Sequence, residues 1–222
     1  MRLLLIDTCG VEGSVALADT LRTPAVVAME KLPGRSSSER LVPVVREMLE
    51  SQEWGLRELA AIVVVHGPGS FTGIRVGLSA AKGLSEASGV PLVAVSRLAL
   101  LAAASGAGEG RVHAVLDAGR GEFYYGEYVG GRCVVEALLT REEVLAAVGT
   151  ERVIVCEEKI VEALGMQVHW IAEPDAGAAV AIALGRVEAG AFDDAATLDA
   201  NYLRRTDGQL FARAKVAGPV SE

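Results

Sequence analysis

The 222-residue sequence is poor in aromatic rings, basic residues, histidines and cysteines, and each shortage closes off a class of function. Phe, Trp and Tyr together make up 5% of the chain, too few for an aromatic platform interleaved with cations on which single-stranded bases stack. Lysines and arginines number 21 against 29 aspartates and glutamates, a net charge of −8. A protein holding RNA by itself would be built around clustered cations, because phosphate neutralisation carries much of that affinity. The three histidines, His66, His113 and His169, are too far apart for two to share a helical turn, which excludes a His pair on one helix as a metal site. Cys9, Cys133 and Cys156 are odd in number and have no C-x-x-C spacing, so reduced thiols are expected rather than a disulfide framework or a zinc knuckle. No stretch approaches the roughly 18 consecutive apolar residues of a membrane helix, and Asp7 cuts short the opening apolar run before it resembles a signal peptide. The expectation is a soluble, cytoplasmic protein with no membrane contact.

What is present is a globular composition, 51% apolar and 23% charged, with a core that must rest on Leu, Val, Ile and Ala. Leu3 to Ile6, a turn at Asp7 to Gly13, and Ser14 to Ala18 read as a hairpin, which Ala25 to Met29 can extend. Ser36 and Glu39 stand at capping-box spacing before a helix whose apolar stripe is Leu41, Val44, Val45, Met48 and Leu49. Pro43 then argues for a start late enough to put it in the first turn. Ala61 to Val65 suit a buried central strand, Gly73 to Ala87 a helix, Val90 to Val95 a strand and Leu98 to Ala104 a short helix. The glycine-rich Ser105 to Gly108 marks the expected boundary between an N-terminal lobe, 1–104, and a smaller C-terminal lobe, 105–222, whose last segment is free to return to the first. Beyond it the opening pattern recurs: LLLIDTCGVEGSVAL is echoed by HAVLDAGRGEFYYGEY, strand, Asp, glycine turn, strand. Glu142 to Val148, Lys159 to Leu164 and Ala176 to Glu188 read as helices, with a strand at Val153 to Cys156. The tail from Asn201 to Lys215 is polar and basic and has no clear pattern.

Residues 67–77, GPGSFTGIRVG, place four glycines and a proline around a helix start. Two readings stand side by side: an anion site at the helix N-terminus, or a tight structural turn. The string is neither a Walker A loop nor G-x-G-x-x-G. On the helix that follows, Arg75, Ser79, Lys82 and Glu86 share one narrow side, and the remaining arc is apolar or small. That arc is wider than one core-facing stripe requires, so the helix is either buried in its own fold or shared between its own sheet and a partner. Gly73 and Gly77 would let a second helix approach closely.

LLLIDT, the serine-capped helix, GPGSFTGIRVG, AKGL, VPLVAVSRL and LDAGRGEFYYGEY together resemble the bacterial TsaB (YeaZ-type) family, relatives of the catalytic TsaD proteins. The resemblance implies an α/β, two-lobed actin-like fold (ASKHA, sugar-kinase/Hsp70-like), each lobe a mixed sheet with flanking helices. It implies a non-catalytic subunit that works with a TsaD-type transferase and a TsaE-type ATPase in threonylcarbamoylation of the adenosine beside the anticodon. Alone, such a protein is expected to form a homodimer; with TsaD, a heterodimer through the same two helices. On this sequence that face maps to Leu41, Val45, Met48, Gly73, Ile74, Gly77, Leu78 and Ala81. Arg75 and Lys82, the one basic pair on the second helix, are candidate contacts for a nucleotide or an acidic surface, with a solvated face as the alternative. The family's first helix commonly opens with His-Ser, where this chain has Ser36, Ser37 and Ser38.

No catalytic residue, metal ligand or cofactor of its own is expected; ATP or ADP would be bound only in the assembled complex, and tRNA met mainly through it. Asp7 and Asp117 sit where an actin-like hairpin can hold a metal-bound nucleotide. The loop Thr8-Cys9-Gly10-Val11 lacks the basic residue of a phosphate grip, so Asp7 is expected to cap its turn. Gly77 to Ala81 only mimics a nucleophile elbow, with Ser79 in mid-helix. The competing function is an ATP-dependent phosphotransferase of the sugar-kinase type, which would bind magnesium-nucleotide without a partner.

Overall fold

Apolar runs bounded by Asp and Gly become strands here because both of their faces are covered. In the computed structural model, which describes residues 1–34, 37–106 and 108–203, β1 (Arg2–Asp7) and β4 (Ala61–Val65) are buried almost throughout. The first sheet adds β2 (Gly13–Asp19), β3 (Val26–Leu32) and β5 (Leu92–Val95), in the order β3-β2-β1-β4-β5. The first three strands are antiparallel neighbours, whereas β4 and β5 run parallel to β1. Helix α1 (Ser37–Ser51) connects β3 to β4, α2 (Phe71–Ser88) connects β4 to β5, and α3 (Arg97–Ala104) follows.

The second sheet repeats this plan. It contains β6 (Arg111–Gly119), β7 (Glu122–Val129), β8 (Arg132–Thr140), β9 (Val153–Val155) and β10 (His169–Trp170) in the order β10-β9-β6-β7-β8. Read from β8 the order matches the first sheet strand for strand, with α4 (Arg141–Val148) and α5 (Glu158–Leu164) in the places of α1 and α2. The echo between the two Asp-Gly hairpins is therefore part of a whole-lobe repeat. Strands β8 and β10 have no counterpart in the sequence reading. β8 exposes Cys133, Val134 and Val135 and so lacks a clean alternation, and β10 is two residues long.

Each sheet has a core on both faces. On the first, Leu4, Ile6, Val15, Ile62 and Val64 pack under α1 and α2, and Leu3, Leu5, Ala16 and Val63 pack under α6 (Val180–Glu188) and the 3-10 turn Ala176–Ala179 before it. On the second, Val115, Phe123 and Val153 meet α4 and α5, while Ala114, Leu116 and Tyr128 meet Leu98, Leu101 and Ala102 of α3. The helix that closes each repeat thus lies on the sheet of the other, and this exchange holds the lobes together.

Pro43 corrects one expectation. The described part of α1 begins at Ser37, which puts Pro43 at its seventh residue rather than in its first turn. Proline is tolerated there because it lies on the exposed face, where the carbonyl of Glu39, deprived of its usual donor, is open to water. Ser36 and its expected cap fall outside the described residues, as does the tail beyond Leu203. Helix α2 carries its own punctuation: the Ser70 hydroxyl accepts from the Gly73 N–H at 3.2 Å, and Gly89 ends the helix at φ 76°.

Candidate functional site

Between the lobes lies a cleft of about 1030 Å³. Its first-lobe wall is the β1–β2 turn and the start of α2, with Thr8, Gly10, Ser70 and Thr72; its second-lobe wall presents Asp117, Glu157, Glu158 and Lys159, with Glu173 nearby. Among the described residues four carboxylates, Asp117, Glu157, Glu158 and Glu173, face two cations, Arg97 and Lys159. Both cations are engaged: Arg97 with Glu173, Lys159 with Asp117 at 2.7 Å and Glu157 at 3.2 Å. A polyphosphate entering this cleft would meet net negative charge.

Asp7 is buried, and its Oδ1 accepts from the Cys9 N–H at 2.8 Å, the capping role anticipated for it. Burial pushes its carboxyl above the ordinary value, with Arg97 and the Cys9 N–H pulling back. Asp117, its counterpart in the repeat, accepts from the Gly119 N–H at 3.1 Å. Burial also raises the Cys9 thiol well above its usual range and the Cys156 thiol to about 11, so neither is a thiolate nucleophile at neutral pH. Among the described residues no three His, Cys, Asp or Glu side chains group as a metal site requires.

The glycine string is explained by the turn opposite it. A Cβ on Gly73 would stand 1.9 Å from the Thr8 carbonyl oxygen, one on Gly69 2.4 Å from that of Cys9, and one on Gly77 2.4 Å from Thr8 Oγ1. The Thr8 hydroxyl donates to the Gly73 carbonyl at 2.6 Å, and the Ser70 N–H to the Cys9 carbonyl at 2.8 Å. The glycines let α2 dock directly on its own β1–β2 turn. Close approach is the right physical reason, but Gly73 and Gly77 receive this turn rather than a second helix.

The other expected interface positions lie mostly inside the fold. Leu41, Val45, Met48, Ile74, Leu78 and Ala81 are all buried in the chain's own core. The wide apolar arc of α2 is covered by its sheet, by α1 and by the Thr8 turn. What α1 and α2 display outward is the row between them: a groove of about 570 Å³ lined by Ser38, Val42, Phe71, Arg75, Val76 and Ser79, with the edge of Leu41. Val42 is 51% exposed and Phe71 47%. Arg75 is on this surface and is not a free charge: its guanidinium lies 3.7 Å over the Phe71 ring, and its Nε donates to the Tyr202 hydroxyl at 2.9 Å. Lys82 is half-buried, two turns further along α2. His169 is exposed at the start of the two-residue β10, with its Nε2 3.0 Å from the Arg152 guanidinium. Tyr202 and Glu173 were not anticipated. Both belong to segments without apolar periodicity, which carry no local signal.

Two mixed sheets of identical strand order, flanked by helices and joined across a cleft, define an actin-like two-lobed protein. The family described as TsaD, tRNA N6-adenosine threonylcarbamoyltransferase, matches residues 31–168. The chain belongs to this family, in its TsaB (YeaZ-type) branch. YeaZ from Pseudomonas aeruginosa superposes with a TM-score of 0.78 at 30% identity, over 91% of this chain and 99% of that one. The tRNA threonylcarbamoyladenosine biosynthesis protein TsaB of Escherichia coli is 37% identical over 130 residues, 58% of this chain and 55% of its own length. That of Bacillus subtilis is 33% identical over 149 residues, 66% and 63% respectively. These alignments therefore span little more than half of those curated relatives. The ethanolamine utilization protein EutJ of Carboxydothermus hydrogenoformans, 15% identical with a TM-score of 0.53, shares the fold alone. Among the described residues no helix is long and apolar enough to cross a membrane.

Proposed function

We propose that this protein is a non-catalytic partner subunit in tRNA threonylcarbamoyladenosine biosynthesis, required by a TsaD-type transferase that acts with a TsaE-type ATPase. The observation that carries the reading is the groove between α1 and α2, an exposed apolar strip with a stacked arginine at its rim. Buried aromatic and arginine anchors are the usual energetic centre of an interface, and the lipophilic part of this strip is wasted in water. The TsaD-type paralogue occupies it in the working complex, and a second copy of this chain when no paralogue is present. The acidic cleft, with both of its described cations paired, argues against the sugar-kinase alternative and for nucleotide bound only in the complex. The net charge of −8 leaves most of the holding of tRNA to the partner.

Light-scattering mass of the pure protein, alone and mixed with the TsaD-type protein of the same organism, tests this. The expected result is a dimer that gives way to a mixed complex. Val42→Asp should weaken both assemblies by at least tenfold, about 1.4 kcal/mol, because it puts a charge in the strip's centre. A monomer that ignores the paralogue and binds magnesium-ATP by calorimetry would overturn the proposal in favour of the kinase reading.

A further inference from the structure

The described part of the segment after α6 returns along the first lobe to its outer surface. The Asp193 N–H donates to the Leu92 carbonyl at 2.9 Å, and its Oδ2 accepts from the Ala94 N–H at 2.6 Å and from Arg186 at 3.1 Å. Further along, the Asn201 N–H donates to the His66 carbonyl at 2.8 Å, just before the loop that leads into α2. The Asn201 side chain joins the second lobe instead: its Nδ2 donates to Oε2 of Glu136, on β8, at 2.6 Å. The other oxygen of Glu136 accepts from the hydroxyls of Tyr128 and Ser96. This half-buried carboxylate therefore gathers donors from its own sheet, from the start of α3 and from the returning segment. Hydrogen bonds to an ionised acceptor are roughly twice as strong as neutral ones, which makes it the firmest polar tie on the segment's last turn.

The residue after Asn201 is Tyr202. Its ring lies 5.6 Å from that of Phe71, and its hydroxyl accepts from Arg75. Tyr202 is thus an outer member of the stack at the rim of the α1–α2 groove, supplied by a strap whose neighbouring residue is pinned from the other lobe. We propose that Glu136 is a positioning residue: through Asn201 it holds Tyr202 in the Phe71–Arg75 stack, so that the second lobe completes the docking surface carried by the first. The inference rests on the docking role given to that surface above. It predicts that partner affinity depends on a carboxylate outside the α1–α2 groove. The physical warrant is an unbroken series of hydrogen bonds and ring contacts, and a coupling measurement is what establishes that they act together.

The test uses the full chain with Glu136→Ala, Asn201→Ala, Tyr202→Ala and the Asn201→Ala/Tyr202→Ala double variant. Asn201→Ala keeps the backbone bond to His66 and is the variant to rely on if Glu136→Ala fails to fold. In the free protein, nuclear Overhauser contacts between the Phe71 and Tyr202 rings should weaken in Glu136→Ala and Asn201→Ala. Binding to the TsaD-type protein should fall roughly tenfold in Asn201→Ala, on the scale of one charge-assisted hydrogen bond. In the Tyr202→Ala background the same change should have no further effect, which general loss of stability would not produce. Unchanged ring contacts, or effects of Asn201→Ala and Tyr202→Ala that simply multiply, would overturn the inference. Should the wild-type chain not bind the TsaD-type protein at all, the docking reading fails, and the ring contacts in the free chain still decide whether Glu136 holds Tyr202.

Discussion

Three glycines on α2 invite the same substitution with opposite consequences. Gly83 is exposed, and a Cβ there would meet no atom within 4 Å. Gly83→Ala should stabilise the protein by about 1 kcal/mol, the helix-propensity difference alone. At Gly77 the new methyl would stand 2.4 Å from Thr8 Oγ1. That oxygen belongs to a buried side chain tied to the Gly73 carbonyl, so it cannot swing aside without breaking its bond. A cost of about 2 kcal/mol follows from overpacking of this kind. Gly73→Ala is the severest, because the obstacle is the Thr8 backbone oxygen at 1.9 Å and the whole β1–β2 turn must retreat from α2. About 3 kcal/mol or more is expected there. Thermal unfolding followed by circular dichroism reads these differences directly, at about 2–4 °C per kcal/mol for a chain of this size. The expected order of midpoints is Gly83→Ala above wild type, then Gly77→Ala, then Gly73→Ala. If Gly73→Ala unfolded with the wild-type midpoint, the glycines would not be there for close packing, and the anion-site reading of GPGSFTGIRVG would regain its claim.

The second lobe offers two further tests. His113 is buried, with Nδ1 2.7 Å from the Tyr125 hydroxyl and Nε2 3.0 Å from Glu151 Oε2; His113→Ala strands the phenol and opens a cavity, and should cost about 3 kcal/mol by urea unfolding, a near-neutral result sinking the argument. Burial, with Glu127 adding to it, raises the Tyr125 phenol to about 12 from an ordinary 10. The folded state therefore keeps a proton that the unfolded chain releases, so this group's stabilisation is complete below about pH 10 and is lost as pH climbs towards 12. Tyr125→Phe should flatten the decline of stability across that window, and an unchanged slope would refute the assignment.

Apart from β8 and β10, the sequence carried the strands and helices that repeat between lobes, because apolar runs closed by Asp-Gly turns and a 3.6-residue stripe are local signals. It could not carry which sheet a helix packs on. Leu98, Leu101 and Ala102 look the same whether they cover the first sheet or, as found, the second. Nor could periodicity distinguish the burial of Ile74, Leu78 and Ala81 within the lobe from burial against a partner, since both demand an apolar side chain. The glycines marked a close approach without naming what approached. Ser14 illustrates the remainder: its hydroxyl accepts from the Ala176 N–H at 2.9 Å across 162 residues, a pairing that no local pattern announces.

The internal repeat also accounts for how the cleft between the lobes is furnished. In each lobe the Asp at the end of the first hairpin strand is turned to its own backbone, Asp7 to Cys9 and Asp117 to Gly119. Beside each stands a cation already claimed by a carboxylate, Arg97 by Glu173 and Lys159 by Asp117. Among the described residues these contacts leave no unpaired cation in the cleft. The start of α2, where such a site would draw its N–H groups, is drawn instead onto the Thr8–Cys9 turn. Phe71 and Arg75 of the same helix stand beside Val42 on the outside. The helix packed on the turn by its glycines is thus also the one that supplies a wall of the outer groove. A substitution such as Gly77→Ala should accordingly weaken partner binding as well as stability.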